Sequence, residues 1–365
     1  MQKQITEIAQ RFETLGRLVR VEPFGTGHIH DTFLAVFEQK GMFTRYLLQG
    51  INQKVFPNPR VLMENIQRIT AYIQKKIAQW NAGNRRTRAL TLVPSWEGLP
   101  YFTDEQGRFW RMFEFIEGRT YKRLSEPNQA FEAARAFGFF EAVLEDFPKP
   151  PPVEIIPDFH NTKKRFMNFQ KIVDSDSFNR CHIAKKEIDF ALKHALLAPF
   201  LVELKSKAKI PERITHNDTK IDNVIFDTHQ PEAICVIDLD TVMPGVLAYD
   251  FGDMVRSMTC PKDEDEEHLE SIYIRMPLFR ELAAGYLEGT RGFITNEERK
   301  TLVAGAKVIC FEQGIRFLGD YLQGDVYYKT SYKQQNLRRA RTQFKLLSSI
   351  IENEKEMMRI IREIS

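Results

Sequence analysis

One segment narrows what this chain can fold into more than any other: Ile214-Thr215-His216-Asn217-Asp218-Thr219-Lys220-Ile221-Asp222-Asn223-Val224-Ile225-Phe226. A polar loop of the form H-x-D-x-K-x-x-N runs straight into an apolar strand. Twenty residues after Asp218, Asp238 stands at the end of a second apolar strand, Ile234-Cys235-Val236-Ile237. From about residue 125 helical periodicity dominates, and these strands are islands within it. The residues before about 115 read differently. Leu18–Phe24 and Thr32–Phe37 are rich in strand formers and flank the loop Gly25-Thr26-Gly27. A Lys40-Gly41 turn leads to a third strand candidate, Tyr46–Gln49. A helix follows, because Leu62, Ile66, Ile69, Ile73 and Ile77 recur at helical spacing. Leu92-Val93, Pro100–Phe102 and Phe109–Phe113 add three short strands. The expected class is α+β, with an antiparallel-sheet lobe carrying one helix over residues 1–115 and a larger, mainly helical lobe over 116–365.

The residue types in the polar loop suit phosphoryl transfer from ATP. That chemistry needs a carboxylate to orient the acceptor hydroxyl, oxygen ligands for Mg²⁺, and a cation against the charge on the transferring group. Asp218 is the candidate base, Asn223 and Asp238 the candidate metal ligands, and Lys220 the candidate partner of the γ-phosphate. The bare spacing is a weak signal, since Asp and Asn are common turn formers. The strands on either side, and the second strand ending in Asp, make it specific. Asp250-Phe251-Gly252 spells the metal-binding triplet of protein kinases but follows no apolar strand. The metal is therefore expected at Asp238, and Asp250 is expected near a helix start, hydrogen-bonding the loop's backbone.

The two-part layout, His216–Asn223, and the run from Ile237 to Thr241 through Tyr249–Asp253 resemble the aminoglycoside phosphotransferase and choline kinase superfamily, which shares the protein-kinase-like bilobal fold. Four stretches are similar to the N-acetylhexosamine 1-kinases: Gly25–Phe33, His216–Lys220, Asp238–Gly245 and Ile315–Leu322. The resemblance spans residues 18 to 335. It implies ATP and Mg²⁺ as cofactors and phosphate transfer to the anomeric hydroxyl of GlcNAc or GalNAc. It also implies sugar contacts at Arg316 and Tyr327. The residues alone support those two contacts little, since an Arg in a helix is usually a surface or ion-pair residue.

Two departures matter. Protein kinases carry a Lys on the third strand, paired with a Glu on the next helix; here Gln49 holds that position, with Glu64 as its natural helix partner through a hydrogen bond. The glycine loop has Gly25 and Gly27 but lacks a third Gly, and its place between two strands supports a phosphate cradle. His28, His30 and Asp31 lie on or beside it, and His28 and Asp31 are candidate acceptor contacts. The adenine edge is expected against backbone C=O and N–H groups of Glu114 and Ile116 in the crossover between lobes.

A formal charge of +3, from 52 basic and 49 acidic residues among 365, gives no electrostatic case for nucleic acid. No apolar run reaches membrane length, and the N-terminus shows no secretory h-region. The four cysteines are scattered, without CxxC spacing, and read as reduced thiols. A cytoplasmic monomer acting on a small sugar is the expectation. Two alternatives stay open: the same fold acting on choline, an aminoglycoside or another small alcohol, which the acidic run Asp263–Glu267 favours, and a regulatory pseudokinase, prompted by the missing third-strand Lys. Retention of Asp218, Asn223 and Asp238 argues against the second. The C-terminal stretch from Lys333 reads as a charged amphipathic helix with a packing stripe at Leu337, Phe344, Leu347 and Ile351.

Overall fold

The computed structural model describes residues 2–25, 29–80 and 87–364. Its N-terminal part is a six-stranded antiparallel sheet. Strands β1 (Arg17–Pro23), β2 (Asp31–Gln39), β3 (Met42–Gly50), β6 (Phe109–Glu114) and β4 (Leu92–Val93) lie in that order, and β5 (Phe102–Thr103) also pairs with β6. Helix α2 (Pro59–Trp80) lies between β3 and β4 in the chain. Its stripe of Leu62, Ile66, Ile69, Ile73 and Ile77 is buried, as the spacing requires of a one-sided amphipathic helix. A short helix not anticipated from the sequence, α1 (Gln2–Ala9), packs Ile5, Ile8 and Ala9 into a core with Leu48, Trp110 and Met112. Only two turns long, it offers too few periods to be read from its pattern.

The chain leaves β6 through Phe115–Arg119 and is pinned at once. Arg119 and Phe226 exchange both backbone hydrogen bonds at 2.8 Å. Gly118 permits this approach, since a Cβ there would meet the Ile225 side chain at 2.2 Å and the Phe226 carbonyl at 2.6 Å.

The helical part comprises α3 (Pro127–Val143), α4 (Thr162–Ser175), α5 (Lys185–Lys193), α6 (Leu197–Ser206), α7 (Leu247–Thr259), α8 (Met276–Gly289), α9 (Asn296–Leu322) and α10 (Gln335–Ile364). Two small ribbons are embedded in it: β7 (Arg213–Thr215) with β10 (Met243–Gly245), and β8 (Val224–Phe226) with β9 (Ala233–Val236). Helices α7 and α9 cross at Gly252 and Gly305, where a Cβ on Gly305 would lie 2.0 Å from the Ala248 carbonyl. On α10, Leu337, Phe344 and Leu347 are buried as expected, while Ile351 is exposed. All four cysteines are free, and no helix among the described residues is long and apolar enough to cross a membrane.

Candidate active site

The polar loop between β7 and β8 is buried, so its backbone groups need partners inside the protein. Asp250, in the first turn of α7, supplies two of them: Oδ2 accepts from the His216 N–H at 2.6 Å and Oδ1 from the Asn217 N–H at 2.7 Å. Thr219 Oγ1 donates back to the Asp250 carbonyl at 2.6 Å. This is the seat expected of Asp250 from its sequence context. Beside it, burial and then the nearby Asp250 carboxylate push the Glu141 carboxyl well above its usual range, and the Tyr286 hydroxyl donates to it at 2.7 Å. His216 donates through Nε2 to the Ile237 carbonyl at 2.9 Å and stands edge-on to Phe137 and Phe140. Asn217, at φ 64°, donates its amide to the Thr241 carbonyl at 2.9 Å, and Thr241 Oγ1 returns a bond to the His216 carbonyl at 2.8 Å. The loop is thus tied both to α7 and to the turn that follows β9.

That seat gathers Asp218, Lys220, Asn223 and Asp238. Lys220 Nζ lies 3.0 Å from Asp218 Oδ2, and Asn223 Nδ2 donates to the same oxygen at 3.1 Å and to the Asp218 carbonyl at 2.8 Å. Burial would raise the Asp218 carboxyl, but the charge and hydrogen bond of Lys220 outweigh it and hold the group below its ordinary value. Asp238 lies two residues beyond the end of β9, in the left-handed region at φ 60°. Burial, then the Asp240 and Asp218 carboxylates, push its carboxyl up to about 6. Crowded carboxylate oxygen beside an amide suits a hard divalent cation. Among the described residues no three His, Cys, Asp or Glu side chains converge to cage a metal alone.

The roof of the cleft departs from expectation. Gln49 does not pair with Glu64, which is exposed on α2 while the helix's inner face is filled by its apolar stripe. Gln49 instead bonds across the sheet, donating to Thr32 Oγ1 at 3.2 Å and accepting from Arg111 Nε at 2.9 Å, because Thr32 and Arg111 are its register partners on β2 and β6. Arg111 in turn grips Asp240 with both Nη atoms, Nη2–Oδ2 measuring 3.0 Å. His30 completes the clamp: Nδ1 accepts from the Asn52 N–H at 3.2 Å, leaving Nε2–H to donate to Asp240 Oδ2 at 2.5 Å. The cation absent from the third strand is therefore carried by the next strand over, and it joins the sheet to the turn bearing Asp238. An Arg between Trp110 and Met112 in an apolar strand was the available signal.

Arg111 and Asp240 are only 2% and 3% exposed, so removing one leaves the other's charge buried. Arg111→Met is expected to cost about 3–5 kcal/mol in urea unfolding, with much of it recovered in the double variant Arg111→Met/Asp240→Asn. An unchanged unfolding midpoint in the single variant would remove the clamp from the structure's supports.

The cleft itself is a cavity of about 750 Å³. Gly25, Leu47, Gln49, Phe113, Glu114 and Ile116 line it from the sheet and the crossover, Lys220, Asn223 and Asp238 from the polar loop and the turn after β9, and Arg256, Glu264 and Gln343 from α7, the acidic run and α10. Gly25 takes φ 77°, which favours glycine. Glu114 already donates its N–H to the Thr91 carbonyl at 2.9 Å, so its carbonyl is the group it can offer a ligand edge, beside the N–H of Ile116. Gly27 and His28 lie outside the described residues. Asp218, behind Lys220 and Asn223, and Glu64 are not among the cleft's lining, and neither are three further candidates. Asp31 is paired with Arg108 at 2.6 Å on the exposed side of the sheet. Arg316 is packed between Phe159 and Tyr328 and donates to Gln313 at 3.0 Å. Tyr327 is 65% exposed, because Asp320 accepts the backbone N–H groups of Val326, Tyr327 and Tyr328 at 2.8–3.0 Å and folds that loop outward.

Around Arg256 and the acidic run the charges are spent on one another. Arg256 bonds Asp253 at 2.7 Å and Glu264 at 2.6 Å. Arg123 pairs with Asp263, Lys262 with Glu266 at 3.5 Å, and Arg338 with Glu267 at 3.2 Å. Asp265 accepts from Tyr332 at 2.9 Å and Gln335 at 2.7 Å. The whole acidic run is a loop laced to its surroundings.

The profile of the phosphotransferase enzyme family matches residues 21–291. Among solved structures, a microcompartment-associated aminopropanol kinase is similar at TM-score 0.64 and 14% identity, covering 98% of each chain. The choline kinase of Cryptosporidium parvum matches at TM-score 0.57 and 15% identity, covering 100% of this chain and 98% of that one. A spectinomycin phosphotransferase in complex with ADP and spectinomycin matches at 0.55 and 13%, covering 98% and 99%. At these identities the likeness is one of fold.

Proposed function

Because this chain belongs to the phosphotransferase enzyme family, we propose that it is a small-molecule kinase transferring the γ-phosphoryl group of ATP to the anomeric hydroxyl of N-acetylhexosamines, GlcNAc and GalNAc. Asp218 orients that hydroxyl and accepts its proton. It is fit for this because Lys220 and Asn223 fix one carboxylate oxygen and keep the group ionised. Mg²⁺, when bound at Asp238 and Asn223, neutralises phosphate charge. Lys220 lies beside Asp218 and faces the transferring group as well. Leu47, Phe113 and Ile116 offer an apolar slot for a base, with the Glu114 carbonyl and Ile116 N–H at its edge.

The acceptor reading starts from the four stretches that resemble N-acetylhexosamine 1-kinases. The observation that carries it against a cationic alcohol is the pairing of the acidic run. Choline and aminoglycosides need free carboxylates or aromatic faces, and the carboxylates of the acidic run already hold Arg256, Arg123, Lys262 and Arg338. A neutral, hydrogen-bonding acceptor disturbs none of these pairs.

The test is ADP release with GlcNAc, GalNAc, glucose, choline and kanamycin, with phosphorus NMR of the product. Phosphate at C1 of both N-acetylhexosamines is expected, with glucose turned over poorly. Turnover of choline or kanamycin with neither N-acetylhexosamine would overturn the acceptor assignment and leave the family standing.

A further inference from the structure

A carboxylate sealed inside a protein needs a cation or several hydrogen-bond donors to replace the water it has lost. Among the described residues three carboxyl groups have a buried oxygen without a hydrogen-bond partner, those of Glu141, Glu187 and Asp253. Glu187 has Arg341 at 2.8 Å and Asp253 has Arg256 at 2.7 Å. Glu141 is 1% exposed, and among the described residues no Lys, Arg or His forms an ion pair with it. The Tyr286 hydroxyl donates to its Oε2 at 2.7 Å, and no donor reaches Oε1.

The surroundings oppose a charge there. Glu141 follows Phe137 and Phe140 on the side of α3 that meets His216. From α7 the Asp250 carboxyl lies within hydrogen-bond reach of it, from α8 comes Tyr286, and from α9 Glu298 adds negative charge, itself held by Arg213 at 3.0 Å. Two carboxyls in contact away from water do not both ionise, so one proton lies between them. Asp250 accepts the His216 and Asn217 N–H groups, bonds that favour its ionised form. Glu141 has no backbone donor of that kind. Burial raises both carboxyls, and Glu141, with the Asp250 charge beside it, is pushed well above its usual range.

We propose that Glu141 is a positioning residue in its neutral acid form, donating its carboxyl proton to Asp250 and so orienting the carboxylate that carries the polar loop. An ionised Glu141 would repel Asp250 and draw it away from the His216 and Asn217 N–H groups. The neutral acid holds it against them. The effect on turnover rests on the kinase reading, whereas the shared proton and the hold on the loop do not.

Glu141→Gln replaces the acid O–H by an amide N–H of nearly the same shape and cannot titrate. Urea unfolding of wild type and variant is compared from about pH 6 to pH 8, above the ordinary glutamate range. There the folded wild type keeps a proton that its unfolded chain has released, so its stability falls as pH rises. Its unfolding constant relative to that of Glu141→Gln should climb about tenfold per pH unit. A ratio independent of pH would show Glu141 ionised in the fold and overturn the proposal. The infrared difference between the two proteins should contain the carbonyl stretch of a buried carboxylic acid, present in wild type alone, and its absence would count equally against the proposal. The hold on the loop is read with Glu141→Met, similar in size but without a donor. Exchange of the His216 and Asn217 amide protons should quicken in Glu141→Met and return to the wild-type rate in Glu141→Gln. With whichever alcohol the wild type phosphorylates, kcat should fall about tenfold in Glu141→Met and recover in Glu141→Gln, the KM for ATP staying constant. Unchanged exchange in Glu141→Met, or no recovery in Glu141→Gln, would remove the positioning role. A wild type that phosphorylates no alcohol would sink the kinase reading, and the unfolding, infrared and exchange results would still decide the Glu141–Asp250 bond.

Discussion

Asp218→Asn is expected to lower kcat by roughly 10²–10⁴, the usual worth of a positioned general base, while melting temperature and nucleotide affinity stay near wild type. The reason is geometric. Asn keeps the side chain's shape, and one of its two polar atoms can still meet Asn223, but it cannot take a proton from the acceptor hydroxyl. Lys220 would lose the carboxylate that lies 3.0 Å away, a modest effect for a pair whose side chains are 37% and 26% exposed. Both measurements are needed, because a drop in kcat with a matching drop in melting temperature would point to damage rather than chemistry. Near-normal turnover in a folded Asp218→Asn protein would sink the base assignment.

Asp238 and Asp250 separate in the opposite sense. Asp238→Ala is expected to abolish turnover and to erase any Mg²⁺-induced rise in melting temperature. The apo protein should melt no lower, because the deletion relieves the crowding with Asp240 and Asp218 that raises this carboxyl. Asp250→Ala should do the reverse. It strips the His216 and Asn217 N–H groups of their acceptor in a buried site, at about 1–3 kcal/mol for each unpaired group. Melting temperature should fall by several degrees, with turnover lost in proportion to the disorder of the loop. A Mg²⁺-induced shift retained in Asp238→Ala and lost in a well-folded Asp250→Ala would exchange the two roles.

How far such roles can be read from residues alone depends on sequence distance. The loop from His216 to Asn223 and the turn at Asp238 were legible because the polar groups and the strands that hold them are contiguous. Asp250 was legible for a related reason: a helix-start carboxylate close in the chain to a buried loop has few other uses. The clamp was not, since Arg111 and Asp240 are 129 positions apart and each alone reads as an ordinary charged residue. Gln49 misled because the kinase pattern directs attention to α2, whereas the β-ladder gives it Thr32 and Arg111 as neighbours. Tyr327 stands outside the cleft's lining because its direction is set by Asp320 accepting from three successive backbone N–H groups, a local fold that spacing does not announce.

The crossing of α7 and α9 has a consequence for how the protein opens. Gly252 and Gly305 bring the two helix backbones into contact, and Asp250, two residues before Gly252, carries the polar loop. The loop is therefore registered on a tightly packed joint of the helical body rather than on a surface element with its own local stability. Exchange of the His216 and Asn217 amide protons has to wait for that joint to part, which places these loop residues in the slow-exchanging class usually reserved for core helices.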